Sequence, residues 1–281
     1  MTFRPLDAEL RDRYLAHLGI DDPGPPSAAA LRELHRAHLD RVPYENLEIQ
    51  LGRPTTVDPE ESAARIVTGR GGYCYHLNGA FGALLYSLGY RVTLVRGAVP
   101  DATEQGEWGN HLALLVPVDG IAWLVDVGLG DGFRDPLPLR DGPVEQEPFR
   151  YRLSHRAGPY WRFDHDERSS ISGFDLDVTP RGLDAFAPVH ARLSTSPESP
   201  FVRVFVVQSR YADHTLTLRG CVVSRADKAG VSRTEVTDRT EWTAILADDF
   251  GLRLDDADLD RLWDKARAAH EVWKRSGRHG G

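Results

Sequence analysis

Cysteine occurs only twice in this chain of 281 residues, and Cys74 lies between a pair of glycines and an apolar helical pattern. The pattern begins near Leu77, so Cys74 is expected at the N-terminus of a helix. There the first N–H groups lack partners and the helix dipole places partial positive charge beside the sulfur. Both effects favour the thiolate, which is the nucleophilic form of cysteine. An isolated cysteine can equally be a small buried hydrophobic residue, so catalysis also needs a base nearby.

A predicted hairpin supplies a histidine and an aspartate that could complete such a site. Asp119-Gly120 is a strong signal for a two-residue β-turn, and its register places His111 opposite Gly128. Asp126 then lies diagonal to His111 on the same face, at a Cβ separation of about 7–8 Å. We expect the glycine to leave room for the imidazole to reach Asp126. Singly, the histidine could be a satisfied strand-edge residue and the aspartate a turn cap. Together with Cys74 they could serve as the nucleophile, the base and the orienting acid of a catalytic triad.

The elements that must position these residues follow from hydrophobic periodicity. Up to residue 89 the pattern is helical, with Ser27 as a helix cap and Gly89 closing the helix of Cys74. From residue 90 short strand patterns take over. Further segments are predicted as an interrupted helical connector, strands and terminal helices: 181–193, 201–207, 215–223, 232–237, 241–250 and 256–273. We therefore predict an α+β multidomain protein with a helical bundle over 1–89, a β-rich part over 90–195 and an α/β part over 196–281.

Composition excludes several classes of function. The net charge of −8 argues against a general nucleic-acid binder. No apolar run approaches the roughly 20 residues that cross a bilayer, and no signal peptide is evident, so we expect a cytoplasmic protein without a membrane partner. Without a Cys-x-x-Cys motif, and with His35 and His38 among apolar neighbours, we expect no metal site. The oligomeric state is not indicated.

At the candidate catalytic residues the sequence resembles the arylamine N-acetyltransferase family. The segment Arg70 to Asn78 resembles the nucleophile motif of the family, and Asn110-His111 and Asp126 to Gly130 resemble its other two catalytic blocks. The segment Leu34 to Leu47 resembles the N-terminal block, and a weaker match runs from Ser194 to Phe201. These blocks occur in the order of the family and span nearly the whole chain.

The resemblance implies a fold and an activity. The fold would comprise a helical bundle, a β-barrel-like middle domain and a C-terminal α/β lid around a cysteine-protease-like catalytic core. The activity would be transfer of acetyl from acetyl-CoA to small arylamines, arylhydrazines or arylhydroxylamines, a reaction of xenobiotic metabolism. It would follow a ping-pong route through an acetyl-cysteine at Cys74, with His111 as base, Asp126 as orienting group and no metal.

The resemblance also implies binding residues. Those near the cosubstrate would be Asn110 and Gly128, and those lining the acceptor pocket would be Tyr44, Leu129 and Phe201. This chain departs from the family pattern at His76, where Glu or Gln is usual, and at Leu129, where Phe is usual. We expect His76 to be structural and Leu129 to loosen the aromatic wall of the pocket.

Two other activities could use the same triad. Amide synthases of this family release a carrier-bound polyketide as a macrolactam, and a looser pocket suits them as well. A cysteine hydrolase is a further alternative, although the chain lacks the local cysteine signatures of papain-like and caspase-like proteases.

Overall fold

The computed structural model describes residues 4–100 and 107–275, so the outer ends of the first and last predicted domains, 1–3 and 276–281, lie outside the described residues. The α-helices are α1 (Ala8–Leu18), α2 (Ala28–Arg41), α3 (Leu47–Gln50), α4 (Pro59–Ile66), α5 (Cys74–Ser87), α6 (Ala187–Thr195), α7 (Pro200–Arg203), α8 (Arg239–Ala244) and α9 (Asp256–Arg275). A 3₁₀ turn, Leu183–Ala185, precedes α6, and a π-helical turn, Ile245–Asp249, continues α8. The predicted helical start of the chain is confirmed.

The strands form two antiparallel sheets. They are β1 (Tyr44–Glu45), β2 (Thr93–Ala98), β3 (His111–Val118), β4 (Ile121–Val125), β5 (Leu137–Pro138), β6 (Gly142–Gln146), β7 (Phe149–His155), β8 (Tyr160–Asp164), β9 (Gly173–Arg181), β10 (Val206–Arg210), β11 (Thr215–Arg219), β12 (Val222–Asp227) and β13 (Gly230–Glu235). Within the described residues, one sheet has eight strands in the order β5-β4-β3-β2-β9-β8-β7-β6, and the other has five in the order β1-β10-β11-β12-β13. The larger sheet is the barrel-like part of this α+β fold.

Helix α5 is the centre of the helical part. All its residues from Cys74 to Leu85 are buried, as expected for a helix that is apolar on nearly every face. Helix α2 packs nearby and begins where the Ser27 side chain accepts a hydrogen bond from the N–H of Ala30, so the predicted cap is confirmed. Buried apolar side chains of these helices pack against one face of β2, β3 and β4. The nucleophile helix is therefore enclosed by the core from its first residue, Cys74, to Leu85.

The predicted hairpin is present, but its ladder is shorter than expected. Asp119-Gly120 forms the turn with φ of 52° and 76°, the left-handed pair of a type I′ turn. The predicted register holds as far as the pair Leu114 and Val125, where β4 ends. Beyond that point the chain leaves the sheet, so Gly128 does not lie opposite His111, and that part of the prediction is wrong.

The first and last parts of the chain interlock. Strand β1 pairs with β10, which lies far from it in sequence. Leu193 of α6, and Phe186 just before this helix, pack against the helical core. The predicted strand over 201–207 is wrong at its start, because Ser199 caps the short helix α7 and the strand begins only at Val206. The division at 89 and 195 stays a prediction. Among the described residues, no helix is long and apolar enough to cross a membrane.

Candidate active site

Cys74 is the first residue of α5, at the helix N-terminus that the sequence predicts. It is 3% exposed, and its Sγ lies 3.9 Å from the backbone oxygen of Asn110. The first helical turn starts here, and in the described part of the chain the N–H groups of Cys74 and Tyr75 meet no backbone acceptor. The sulfur therefore lies beside two donors that could stabilise negative charge.

His111, the first residue of β3, lies between Cys74 and an acid. Its Nε2 is 2.6 Å from Oδ2 of Asp126, which leaves Nδ1 as the nitrogen that faces the thiol. Burial lowers the pKa of His111, but the charge and hydrogen bond of Asp126 and the contact with Cys74 outweigh burial and raise it to about 10. The space for the ring comes from Gly97 on β2, where a Cβ would lie 3.1 Å from the Cβ of His111. The residues therefore meet as predicted, although Gly97 has the role expected of Gly128.

Asp126 is fixed by three donors. Its Oδ2 accepts from His111, while its Oδ1 accepts from Nδ2 of Asn78 at 2.7 Å and from the N–H of Gly128 at 2.9 Å. Asn78 also donates to the oxygen of Leu112 and accepts from the N–H of Val127. Its spacing of four residues from Cys74, one helical turn, is the signal that could have identified this role.

Gly128 lies directly on the nucleophile. A Cβ at this position would come within 2.6 Å of the Cα of Cys74 and 2.7 Å of Nδ2 of Asn78. Neither atom can move away cheaply, because one belongs to the helix backbone and the other holds Asp126. Only glycine allows this approach.

Replacing Gly128 with alanine is therefore expected to reduce acyl transfer at least tenfold and to lower the thermal midpoint of unfolding, since Cys74 or Asn78 must shift. The measurement is the single-turnover rate together with a melting curve. The control is Gly79→Ala on α5, where the added Cβ meets nothing nearer than 3.9 Å and helix propensity improves. A Gly128→Ala enzyme with the wild-type rate would contradict the close contact.

His35 on α2 lies between the backbone oxygens at the two ends of the segment after β4. Its Nδ1 lies 2.8 Å from the oxygen of Arg134, and its Nε2 lies 3.2 Å from the oxygen of Asp126. Burial lowers the pKa of His35 to about 4, so the neutral ring has one proton to donate to one of the two oxygens. The sequence indicated only a core histidine here. Among the described residues, no group of three His, Cys, Asp or Glu side chains is arranged to hold a metal ion.

The residues implied for binding the cosubstrate and the acceptor differ in their burial and in the contacts of their side chains. The Asn110 side chain forms two hydrogen bonds with the backbone of Val99, so any contact with a cosubstrate would use its backbone. Tyr44 is half-buried on β1 and lies within electrostatic range of Cys74. Phe201 is half-buried, with its ring 4.9 Å from that of Tyr73. Leu129 packs in the barrel core, so its place in an acceptor pocket stays a prediction.

His76 lies on the buried side of α5. Its ring packs 4.9 Å from the ring of Tyr73 and 5.4 Å from that of His190. Burial, followed by the charges of Arg65 and His190, lowers its pKa well below the ordinary value. Neither ring nitrogen has a hydrogen-bond partner among the described residues. A neutral ring in this place suits the structural role that we expected.

Comparison with known proteins identifies the family to which this chain belongs. The family described as N-acetyltransferase matches residues 27–259. The arylamine N-acetyltransferase / N-hydroxyarylamine O-acetyltransferase of Salmonella typhimurium is 31% identical over 86% of this chain and 89% of its own length. The proansamycin X synthase of Amycolatopsis mediterranei is 34% identical over 53% of this chain and 60% of its own. The arylamine N-acetyltransferase of Mycobacterium marinum, solved in complex with CoA, superposes with a TM-score of 0.81 at 28% identity, over 91% of this chain and 98% of that one. A family match over most of the chain, with the same fold, shows that this chain belongs to the arylamine N-acetyltransferase family.

Proposed function

We propose that this protein transfers an acetyl group from acetyl-CoA to the nitrogen of arylamines, arylhydrazines or arylhydroxylamines through an acetyl-Cys74 intermediate. The observation that carries the proposal is the position of His111, with Nε2 on Asp126 and Nδ1 towards Cys74. This is a cysteine-protease-like arrangement in a family whose relatives are named for acetyl transfer to arylamines. The three residues would act as nucleophile, base and orienting acid.

In the first half-reaction the Cys74 thiolate would attack the thioester carbonyl of acetyl-CoA. The tetrahedral oxyanion would lie near the N–H groups of Cys74 and Tyr75, which have no backbone acceptor in the described residues. The carbon–sulfur bond to CoA then breaks, and the leaving thiolate takes the Nδ1 proton of His111. The products are free CoA, acetyl-Cys74 and a neutral imidazole.

In the second half-reaction the acceptor nitrogen would attack acetyl-Cys74. Arylamines and hydrazines are largely unprotonated near neutral pH, so the nucleophile needs no prior activation. Neutral His111 takes the proton that the nitrogen loses, and the carbon–sulfur bond to Cys74 breaks. The thiolate and imidazolium are restored, stabilised by the carboxylate of Asp126.

The binding surfaces would come from all three predicted domains, 1–89, 90–195 and 196–281. Support for residues 196–275 as an α/β lid comes from β1, which pairs with β10, and from Phe201, which packs on Tyr73 beside the nucleophile. Tyr44, Leu129 and Phe201 would line the acceptor pocket, and Phe201 packs on Tyr73, the residue before Cys74. Asn110 and Gly128 would meet the cosubstrate through their backbones, because both lie against the cysteine.

The test is the intact mass of the protein after mixing with acetyl-CoA in the absence of any amine. We expect a gain of one acetyl group, at Cys74, that is lost when an arylamine or hydrazine is added. Cys221→Ala should acquire the acetyl group as the wild type does, because Cys221 is buried in the core between β11, β12 and α8. Failure of a reactive Cys74 to gain the acetyl group would exclude acetyl-CoA as the donor.

A second candidate has a specific observation behind it. The proansamycin X synthase shares 34% identity with this chain, although over only 53% of it. If acetyl-CoA leaves the protein unchanged, an acyl chain tethered to a carrier protein becomes the donor to test, with release of an amide as the readout. Loss of an acetyl group to water in the absence of amine would instead indicate a hydrolase.

A further inference from the structure

The segment Asp126–Phe133, here called the catalytic loop, must be held in place for the site to work. It begins with Asp126, which orients His111, and it places the backbone of Gly128 against Cys74. It lies outside any helix or strand, so its position depends on side-chain contacts. His35 holds the first residue through the backbone oxygen of Asp126. In the far half of the loop, the backbone oxygen of Gly132 accepts from the hydroxyl of Tyr151 and from Nε of Arg210, and the side chain of Asp131 makes a further contact.

A second carboxylate–imidazole pair lies in that far half. Asp131 is 3% exposed, and its Oδ2 accepts from the N–H of Ser170 at 2.7 Å. Its Oδ1 lies 3.6 Å from Nε2 of His165, whose side chain is fully enclosed. Neither of these two atoms has a hydrogen-bond partner among the described residues, because their separation is beyond hydrogen-bond distance. They face each other as a buried carboxylate–imidazole pair at ion-pair distance.

The protons of this pair are fixed by the backbone. Nδ1 of His165 accepts a hydrogen bond from the N–H of Asp166 at 2.8 Å, so the ring proton lies on Nε2 and points at Asp131. Burial raises the pKa of Asp131, but the nearby His165 and the hydrogen bond from Ser170 outweigh burial and hold it below its ordinary value. Asp131 is thus an anion that accepts from the N–H of Ser170 and faces Nε2 of His165. Because Nδ1 of His165 accepts from the backbone and Nε2 carries the proton, the neutral ring has no free lone pair with which to act as the base of a second catalytic site.

The pair connects the catalytic loop to a distant part of the chain. His165 and Ser170 belong to the connection between β8 and β9. Nε2 of Gln208 on β10 lies 3.4 Å from Oγ of Ser170, and a Cβ on Gly130 would come within 2.5 Å of Oε1 of Gln208. The loop, the β8–β9 connection and β10 therefore meet at Asp131.

We propose that Asp131 and His165 are positioning residues for acyl transfer, because they fix the far half of the catalytic loop and so keep Gly128 on Cys74 and Asp126 on His111. This inference rests on the proposed function for its reaction but not for its geometry. Neither residue would contact a substrate. A displacement of about 1 Å in such a site can lower the rate about 100-fold, so loss of the pair should be visible in the chemistry of Cys74.

The test compares four variants in a Cys221→Ala background, where Cys74 is the cysteine that reacts. Asp131→Asn puts an amide N–H where His165 also donates, and His165→Ala removes the donor. His165→Gln keeps an N–H close to the place of Nε2. The matched control is Asp258→Asn, which removes a similarly buried carboxylate from its 2.6 Å ion pair with Arg53 on a part of α9 remote from the site.

The first readout is the rate at which iodoacetamide alkylates Cys74, which requires no acyl donor. The second is the pair of single-turnover rates for acetylation by acetyl-CoA and transfer to an arylamine. We expect Asp131→Asn and His165→Ala to lower all three rates about ten- to hundredfold, and His165→Gln to stay within about threefold of wild type. Asp258→Asn should lower only the melting temperature.

Three results would overturn the inference: unchanged alkylation in Asp131→Asn, the same rates for His165→Gln and His165→Ala, or an equal loss in Asp258→Asn. If Asp131→Asn does not fold, the comparison of the two His165 variants decides. Failure of the proposed function gives a different result. The wild type would then not be acetylated, while the alkylation rates would still rank the variants.

Discussion

Cys74→Ser is expected to abolish acetyl transfer, with turnover at least about 10⁴-fold below the wild type. The hydroxyl would occupy the place of the sulfur at the start of α5, beside His111 and the N–H groups of the first helical turn. A serine hydroxyl is far harder to ionise than a thiol, and this site is built to share a proton with a thiol. The measurement is steady-state release of CoA from acetyl-CoA in the presence of an arylamine.

The control for this substitution is the other cysteine. Cys221 is 2% exposed in the core beneath the second sheet, and burial raises its pKa to about 11, so it should be inert. Cys221→Ala should keep the wild-type turnover at a small cost in stability. If Cys74→Ser retained more than a hundredth of the activity, acetyl transfer would not pass through Cys74.

Asp126→Asn is expected to lower turnover by about three to four orders of magnitude while leaving the fold intact. The side-chain oxygen of the asparagine would still accept from Asn78 and Gly128, so its amide would face His111. Nε2 of the ring must then accept, which moves the ring proton to Nδ1. A protonated Nδ1 in a neutral ring cannot take the proton of Cys74. Single-turnover acetylation of the enzyme measures this loss directly.

The matched control is Asp119→Asn, the same change of charge in the turn of the hairpin that precedes Asp126. Asp119 lies in the turn at a φ of 52°, which asparagine tolerates, and its carboxylate accepts from the N–H of Ala28, which an amide oxygen can also do. This variant should acetylate at the wild-type rate. A loss in Asp126→Asn below tenfold would show that Asp126 does not set the tautomer of His111.

The meeting of His111 and Asp126 could be predicted in part from local rules, because the register of the hairpin holds as far as Val125, the residue before Asp126. A two-residue turn fixes the register of a hairpin, and the register fixes which side chains share a face. The position of Cys74 could be predicted for a similar reason, since the apolar period of α5 shows where its first turn lies. The resemblance to a known family added the acetyl donor and the acceptor class.

The rest of the site depends on contacts between distant segments, which periodicity does not encode. Gly128 was assigned the space for the imidazole, but the chain turns out of the sheet after Val125 and brings it to Cys74. Strand β1 is two residues long and has no readable alternation, so its pairing with β10 could not be anticipated. The partners Asp131 and His165 lie in different connections, and only the folded barrel brings them together.

The pairing of β1 with β10 also has a consequence for the newly made protein. Glu45 lies between two backbone segments: that of Gly72, two residues before Cys74, and that of Val207 on β10. The side chain of the next residue, Asn46, accepts a hydrogen bond from the N–H of Val206, which lies 160 positions further along the chain. During synthesis Cys74 and its partners leave the ribosome well before β10 exists, so the surroundings of the nucleophile stay incomplete. The thiol can therefore become part of a finished acyl-transfer site only after β10 has left the ribosome, which delays the start of activity well beyond the synthesis of the nucleophile helix.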